Sequence, residues 1–190
     1  MFVIACIVLG YNIYKFTSQK RIYTNLEALG QDSWAVIASS AVEKYVGKPI
    51  RLPYIDSLHV TEVQYQGMCR LPFKIVNFLD GNCTTCLLKI NYWKEFTNEM
   101  NSQGCSIPIV IYAYSSLEED MRVYLNRECT SINFYWQFDK DKSFISENEL
   151  YDLRLQTVLL DAYNNVILIG DPLLNPTLRE LYMDTIKSLL

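Results

Sequence analysis

From residue 47 onward the apolar and polar positions fall into blocks with different periods. Residues 73–79 (FKIVNFL), after Pro72, form a short, mostly apolar run that predicts a buried strand, broken by Asp80-Gly81-Asn82. Beyond Cys86, the residues Ile90, Trp93, Phe96 and Met100 recur at spacings of 3 and 4 with polar positions between them, the pattern of an amphipathic helix. Residues 107–114 (IPIVIYAY) predict the next strand. Ser115 and Ser116 precede Glu118 and Glu119 as two overlapping capping boxes, so a helix is expected there that buries Leu117, Met121, Tyr124 and Leu125. Residues 132–138 predict a further strand, and 157–160 and 166–169 flank Asp161-Ala162-Tyr163-Asn164-Asn165 as a hairpin. Asn175-Pro176 opens a last helix with Leu178, Leu181, Tyr182, Ile186 and Leu189 as its apolar face. This order predicts an α/β fold: a central mixed sheet flanked by helices on both faces, with site-bearing loops at the C-terminal edge of the parallel strands.

The N-terminal part has no such alternation. Residues 2–16 (FVIACIVLGYNIYKF) are apolar except for Asn12 and Lys15. As a helix they would extend about 22 Å, against about 30 Å for a hydrocarbon core. The positive charges Lys15, Lys20 and Arg21 all lie at or beyond the C-terminal end of the run, which by the positive-inside rule would leave the rest of the chain in the cytoplasm. The expectation adopted is nevertheless a membrane anchor whose basic leader lies upstream of Met1, with the domain facing the periplasm. A lipobox-like Val3-Ile4-Ala5-Cys6, followed by Ile7-Val8-Leu9 where a polar start is expected, and a buried N-terminal element are the alternatives. Residues 17–46 are read as a helical stalk, with Trp34, Ile37, Ala41 and Tyr45 at helical spacing, ended by Gly47-Lys48-Pro49. The expected organisation is thus 1–16 anchor, 17–46 stalk and 47–190 globular domain.

A chain of 190 residues that is 50% hydrophobic and 13% aromatic can build a core and is not a disordered tract. With 17 basic against 21 acidic residues it lacks the basic surplus of a phosphate-binding surface, so no nucleic-acid partner is expected. His59 is the only histidine, which excludes a two-histidine zinc site, a histidine pair on haem or an H-E-x-x-H helix built from one chain. The six cysteines are too sparse for a disulfide scaffold. No metal and no cofactor is expected.

The informative feature is Cys83-Thr84-Thr85-Cys86, at a predicted strand-to-helix junction. Unpaired backbone N–H groups and the dipole at a helix N-terminus favour an anion and lower a thiol pKa, so Cys83 is the expected attacking thiolate. Cys86, one turn later and on the inward side, can reach the Cys83 sulfur and resolve a mixed disulfide. Two other readings remain: half a zinc site completed by Cys69, Cys105 or Cys129, without a second C-x-x-C, and an inert structural pair.

Residues 74–94 (KIVNFLDGNCTTCLLKINYWK) resemble the strand and active-site helix of thioredoxin-like proteins, particularly the membrane-anchored thiol-disulfide oxidoreductases of the TlpA/ResA type. The resemblance extends to Gly47-Lys48-Pro49-Ile50 at the opening of the domain. It also takes in Gln156-Thr157-Val158-Leu159-Leu160-Asp161 with Asn164-Asn165-Val166-Ile167, similar to the family's P-T-x-x-L-I-D and its hairpin. The active-site-helix tryptophan and the G-x-P before the last helix are similar to those of uncharacterised thioredoxin-like proteins of Bacteroides and relatives. The resemblance implies a thioredoxin-like fold and disulfide exchange with protein thiols or disulfides. It also implies a substrate-binding loop at Leu155, Gln156 and Thr157, opposite Cys83. Three departures stand out: Gln156 replaces the cis-proline, so a trans or rearranged loop is expected; Asn82 replaces the aromatic before the first cysteine; and Asn77 stands where cytoplasmic thioredoxins keep a buried acid. The alternative function is therefore a redox-inactive thioredoxin-fold binding or accessory module.

Overall fold

The computed structural model describes residues 33–53, 67, 71–129 and 134–190. The chain forms two compact units, Met1–Lys44 and Tyr45–Leu190. Helix α1 (Ser33–Tyr45) makes up the described part of the first unit and ends on the first residue of the second, so the spacing of Trp34, Ile37, Ala41 and Tyr45 is helical. Gly47, at φ 79°, supplies the left-handed residue that a helix C-terminus favours. Residues 1–32, including the expected anchor and most of the stalk, lie outside the described residues. Among the described residues no helix is long and apolar enough to cross a membrane.

The second unit is built on five strands in the order β3-β2-β1-β4-β5. These are β1 (Phe73–Asp80), β2 (Ile109–Tyr114), β3 (Phe134–Phe138), β4 (Thr157–Asp161) and β5 (Val166–Ile169). Strands β1, β2 and β3 run parallel, with Ile75 opposite Ile109 and Ile109 opposite Phe134, whereas β4 is antiparallel to both β1 and β5. The helices are α2 (Thr84–Ser102), α3 (Glu118–Glu128), α4 (Ser143–Asn148) and α5 (Pro176–Leu189). Crossovers β1-α2-β2 and β2-α3-β3 step the same way across the sheet, and right-handed connections then set α2 and α3 side by side. Lys94 of α2 pairs with Glu128 of α3 at 2.6 Å, and the Tyr124 hydroxyl of α3 donates to the Leu87 carbonyl of α2 at 2.9 Å. On its other flank α2 meets α5, where Arg179 Nε donates to Glu99 at 3.1 Å. Every β1 position from Lys74 to Leu79 is buried, so both faces of the sheet are covered. Ile90, Trp93, Phe96 and Met100 all lie at 0% exposure, the stripe that the spacing of α2 predicts.

Several local expectations are corrected. β2 starts at Ile109 rather than 107, because Pro108 has no N–H for the ladder. The capping boxes do not form: Ser116 is bonded to Asn82 instead, the helix begins at Glu118, and Leu117 is 65% exposed rather than buried. Acidic residues Glu118, Glu119 and Asp120 in the first turn satisfy the helix dipole without a side-chain cap. The first positions of the expected 132–138 strand lie outside the described residues. Helix α4 was not legible, since six residues are too few to show a period; its first turn is held by Asp139, whose carboxylate accepts from Ser143 N and Phe144 N. Phe144 stacks on Tyr112 of β2 with ring centroids 4.8 Å apart. The hairpin and the last helix follow the pattern: Asn164 has φ 62°, and Asn175 accepts from Leu178 N with Pro176 behind it.

Candidate functional site: the Cys83–Cys86 turn

The turn between β1 and α2 is held from several sides. Gly81 N donates to Tyr114 O at 2.6 Å, clamping the end of β1 to the end of β2. A Cβ at Gly81 would lie 2.8 Å from Met121 Sδ and 3.0 Å from Tyr114 O, so only glycine fits the close approach. Asp80 Oδ1 accepts from Asn82 N at 3.0 Å, and Asn82 Oδ1 accepts from Ser116 N at 2.9 Å and Ser116 Oγ at 2.7 Å. Asn82, in the place of the family's aromatic, thus fastens the turn to the β2–α3 loop.

Cys83 is the N-cap of α2, with extended backbone at φ −108° and ψ 115°, and its carbonyl accepts from Cys86 N at 2.9 Å and Leu87 N at 3.2 Å. Its sulfur therefore sits at the positive end of a helix of 19 residues. Both cysteines are half-buried. The Cys86 thiol is pushed up to about 11, first by burial, then by donating its S–H to the Cys83 sulfur and by the negative charge that sulfur can carry; Asp80 adds to the rise and Lys89 opposes it. Burial and the Cys83 sulfur together thus favour the protonated form of Cys86.

Lys89, one turn beyond Cys86, is in an ion pair with Asp171 at 2.7 Å, and Asp171 is buried in the loop after β5, where it also accepts from Leu173 N. Neither residue was singled out from the sequence; the only available signals were the i, i+3 spacing of Cys86 and Lys89 and the acid inside Gly170-Asp171-Pro172.

The expected substrate loop takes a different form from that of the family. Leu155 ends a short 3-10 turn (Leu153–Leu155), Thr157 begins β4, and no cis peptide bond occurs among the described residues, so Gln156 is trans. Leu155, Gln156 and Thr157 are all buried. Gln156 O accepts from Phe78 N at 2.9 Å and from Asn77 Nδ2 at 3.4 Å, and Gln156 Nε2 donates to Leu150 O at 3.2 Å. Asn77 Nδ2 also donates to Thr157 Oγ1 at 2.7 Å. Asn77, at the position of the buried acid, therefore serves to stitch this segment onto β1.

Cys105 and Cys129 are buried, and burial raises the Cys129 thiol to about 12. Cys69 and His59 lie outside the described residues. Among the described residues no group of three or more His, Cys, Asp or Glu side chains is arranged to hold a metal ion.

No protein-family model matches the chain, and no curated protein does. Solved structures do. The chain is similar to a candidate thiol-disulfide oxidoreductase from Bacteroides vulgatus (11% identity, 64% of this chain and 78% of that one, TM-score 0.49). It is similar to copper-bound yeast Sco1 (16% identity, 74% and 92%, TM-score 0.48) and to a thiol:disulfide interchange protein from Bacteroides sp. (17% identity, 60% and 74%, TM-score 0.43). The chain's own topology has central β1 leading through C-x-x-C into α2, β2 parallel on one side and the β4–β5 hairpin antiparallel on the other. That is the thioredoxin-like arrangement expected from the sequence.

Proposed function

We propose that the protein carries out thiol-disulfide exchange with protein thiols or disulfides, Cys83 attacking and Cys86 resolving. The observation that carries this reading is the placement of the pair: Cys83 occupies the N-cap position at the start of α2, and Cys86 follows one turn later, half-buried, with the turn closed by Cys86 N donating to Cys83 O at 2.9 Å. In the reductive direction the Cys83 thiolate attacks one sulfur of a partner disulfide, forming a Cys83–partner S–S bond and expelling the other partner sulfur as a thiolate, which takes a proton. Cys86, after losing its proton to that thiolate or to solvent, attacks Cys83. The mixed disulfide breaks, and the second partner sulfur leaves and is protonated. One partner disulfide has become two thiols, and two protein thiols have become one disulfide. The partner's chain is proposed to run beside Leu155, Gln156 and Thr157, and the domain to work at a membrane on the periplasmic side, tethered through residues 1–16.

The test is capture of the intermediate. Cys86→Ser in the full chain should accumulate a mixed disulfide through Cys83 with a model disulfide-bonded protein, and Cys83→Ser should accumulate none. In the captured complex, amide exchange at 155–157 should slow. The trans, inward-bonded Gln156 favours the second reading, a redox-inactive binding module. Failure of Cys86→Ser to capture any thiol partner, with Cys83 alkylated no faster than an ordinary thiol at neutral pH, would establish that reading and sink the exchange mechanism.

A further inference from the structure

The resolving step requires Cys86 to become a thiolate in a half-buried place where burial, Cys83 and Asp80 all oppose that charge. One group opposes them. Lys89 lies at i+3 from Cys86, and residues three apart share a helix face. Its side chain is 17% exposed, so its ammonium is not a freely solvated surface charge. Asp171, at 1% side-chain exposure, fixes it at 2.7 Å, and Asp171 is itself held in place by Leu173 N at 2.9 Å and by the turn in which Leu174 N donates to its carbonyl. From α5, the buried Tyr182 donates its hydroxyl to Gly170 O at 3.0 Å beside the same carboxylate. The cation cannot swing away without leaving a buried carboxylate uncompensated.

We infer that Lys89, oriented by Asp171, is a positioning residue for the resolving thiol: its ammonium stabilises the thiolate that Cys86 becomes when it attacks Cys83. The inference rests on the exchange mechanism proposed above. Lys89 neither donates nor accepts the proton, which leaves by the route already given; its contribution is charge alone.

A charge role and a purely structural role differ in their response to salt. Removing the cation (Lys89→Met) disfavours the Cys86 thiolate by an amount that shrinks as ionic strength rises, whereas the effect of a loosened helix-to-loop contact would persist at high salt. The measurement is the iodoacetamide reaction of Cys86 as a function of pH, resolved at the residue by mass spectrometry. It uses the full chain carrying Cys83→Ser, in which exchange cannot occur and Cys83 no longer influences Cys86. A partly screened charge on one neighbouring turn should shift the profile by up to about one pH unit, about three- to tenfold in rate at fixed pH. The expected result is Lys89→Met slower at low salt, with the difference shrinking in about 1 M salt, and Lys89→Arg within about twofold of the parent at both. No slowing beyond about twofold at low salt, or the same slowing at both salt concentrations, overturns the inference. If Lys89→Met does not fold, Lys89→Met combined with Asp171→Asn, which leaves no buried carboxylate uncompensated, decides by the same criterion. Capture by Cys86→Ser is independent of this result, so failure of the inference and failure of the exchange mechanism are separately visible.

Discussion

Replacing Gly81 with alanine adds one methyl group at the tightest point of the site. That methyl would lie 2.8 Å from Met121 Sδ, 3.0 Å from Tyr114 O and 3.1 Å from Ser115 Cβ. The methionine can swing aside, but the Tyr114 carbonyl cannot, because it ends a strand paired on both sides and already accepts from Gly81 N at 2.6 Å. The turn must therefore retreat, stretching that hydrogen bond and carrying Cys83 with it. Overpacking of this kind costs about 1–3 kcal/mol, while alanine stiffens the unfolded chain by about 0.4–1 kcal/mol in the opposite direction. The balance is a loss of about 0–2.6 kcal/mol, or up to about 10 °C in melting temperature for a chain of this size. Urea and thermal unfolding of the full chain, with residue-resolved alkylation of Cys83 below the transition, measure both effects. Gly67→Ala is the control, since among the described residues nothing lies within 4 Å of its added Cβ. A Gly81→Ala protein as stable as the parent, with unchanged Cys83 alkylation, would show that the turn has slack and that the Gly81–Tyr114 clamp does not set the position of Cys83.

Two further outcomes follow from side chains outside the cysteine pair. Burial raises the Asp139 carboxyl above its ordinary range, with Asp141 and Glu147 adding to the rise, against the hydrogen bonds from Phe144 and Ser143. The native state therefore binds the proton more tightly than the unfolded chain, so stability should fall as pH rises from the unfolded carboxyl value through the native one; Asp139→Asn should flatten that part of a stability-against-pH series. Phe144, at 0% exposure and stacked on Tyr112, should cost about 3–5 kcal/mol on truncation to alanine, read by urea unfolding, and a loss under 1 kcal/mol would mean that α4 is not part of the core.

Much of this molecule is written locally. The strand at 73–80, the stripe Ile90-Trp93-Phe96-Met100, the Asn164 turn and the Asn175-Pro176 helix start are each set by residues adjacent in sequence, through side-chain alternation, helical spacing and the few residues that tolerate special backbone angles. The cysteine pair belongs with them, because strand, turn and C-x-x-C are contiguous, and the helix N-terminus beneath Cys83 follows from that order. What the sequence could not specify is whatever depends on residues distant in sequence. Ser115 and Ser116 read locally as caps, yet Asn82, 34 positions away from Ser116, takes that hydroxyl and leaves Leu117 exposed. Gln156 predicts a loop without a cis-proline, but only β1 decides that the Gln156 carbonyl turns inward to Phe78 N and Asn77. Lys89 is an ordinary polar position on a helix until the loop after β5 brings a buried carboxylate against it, 82 positions away. Local propensity is the sum of interactions within a turn or two of the chain, whereas the partner of Lys89 depends on which buried carboxylate the folded sheet and helices bring within a few ångströms, and no periodicity encodes that distance.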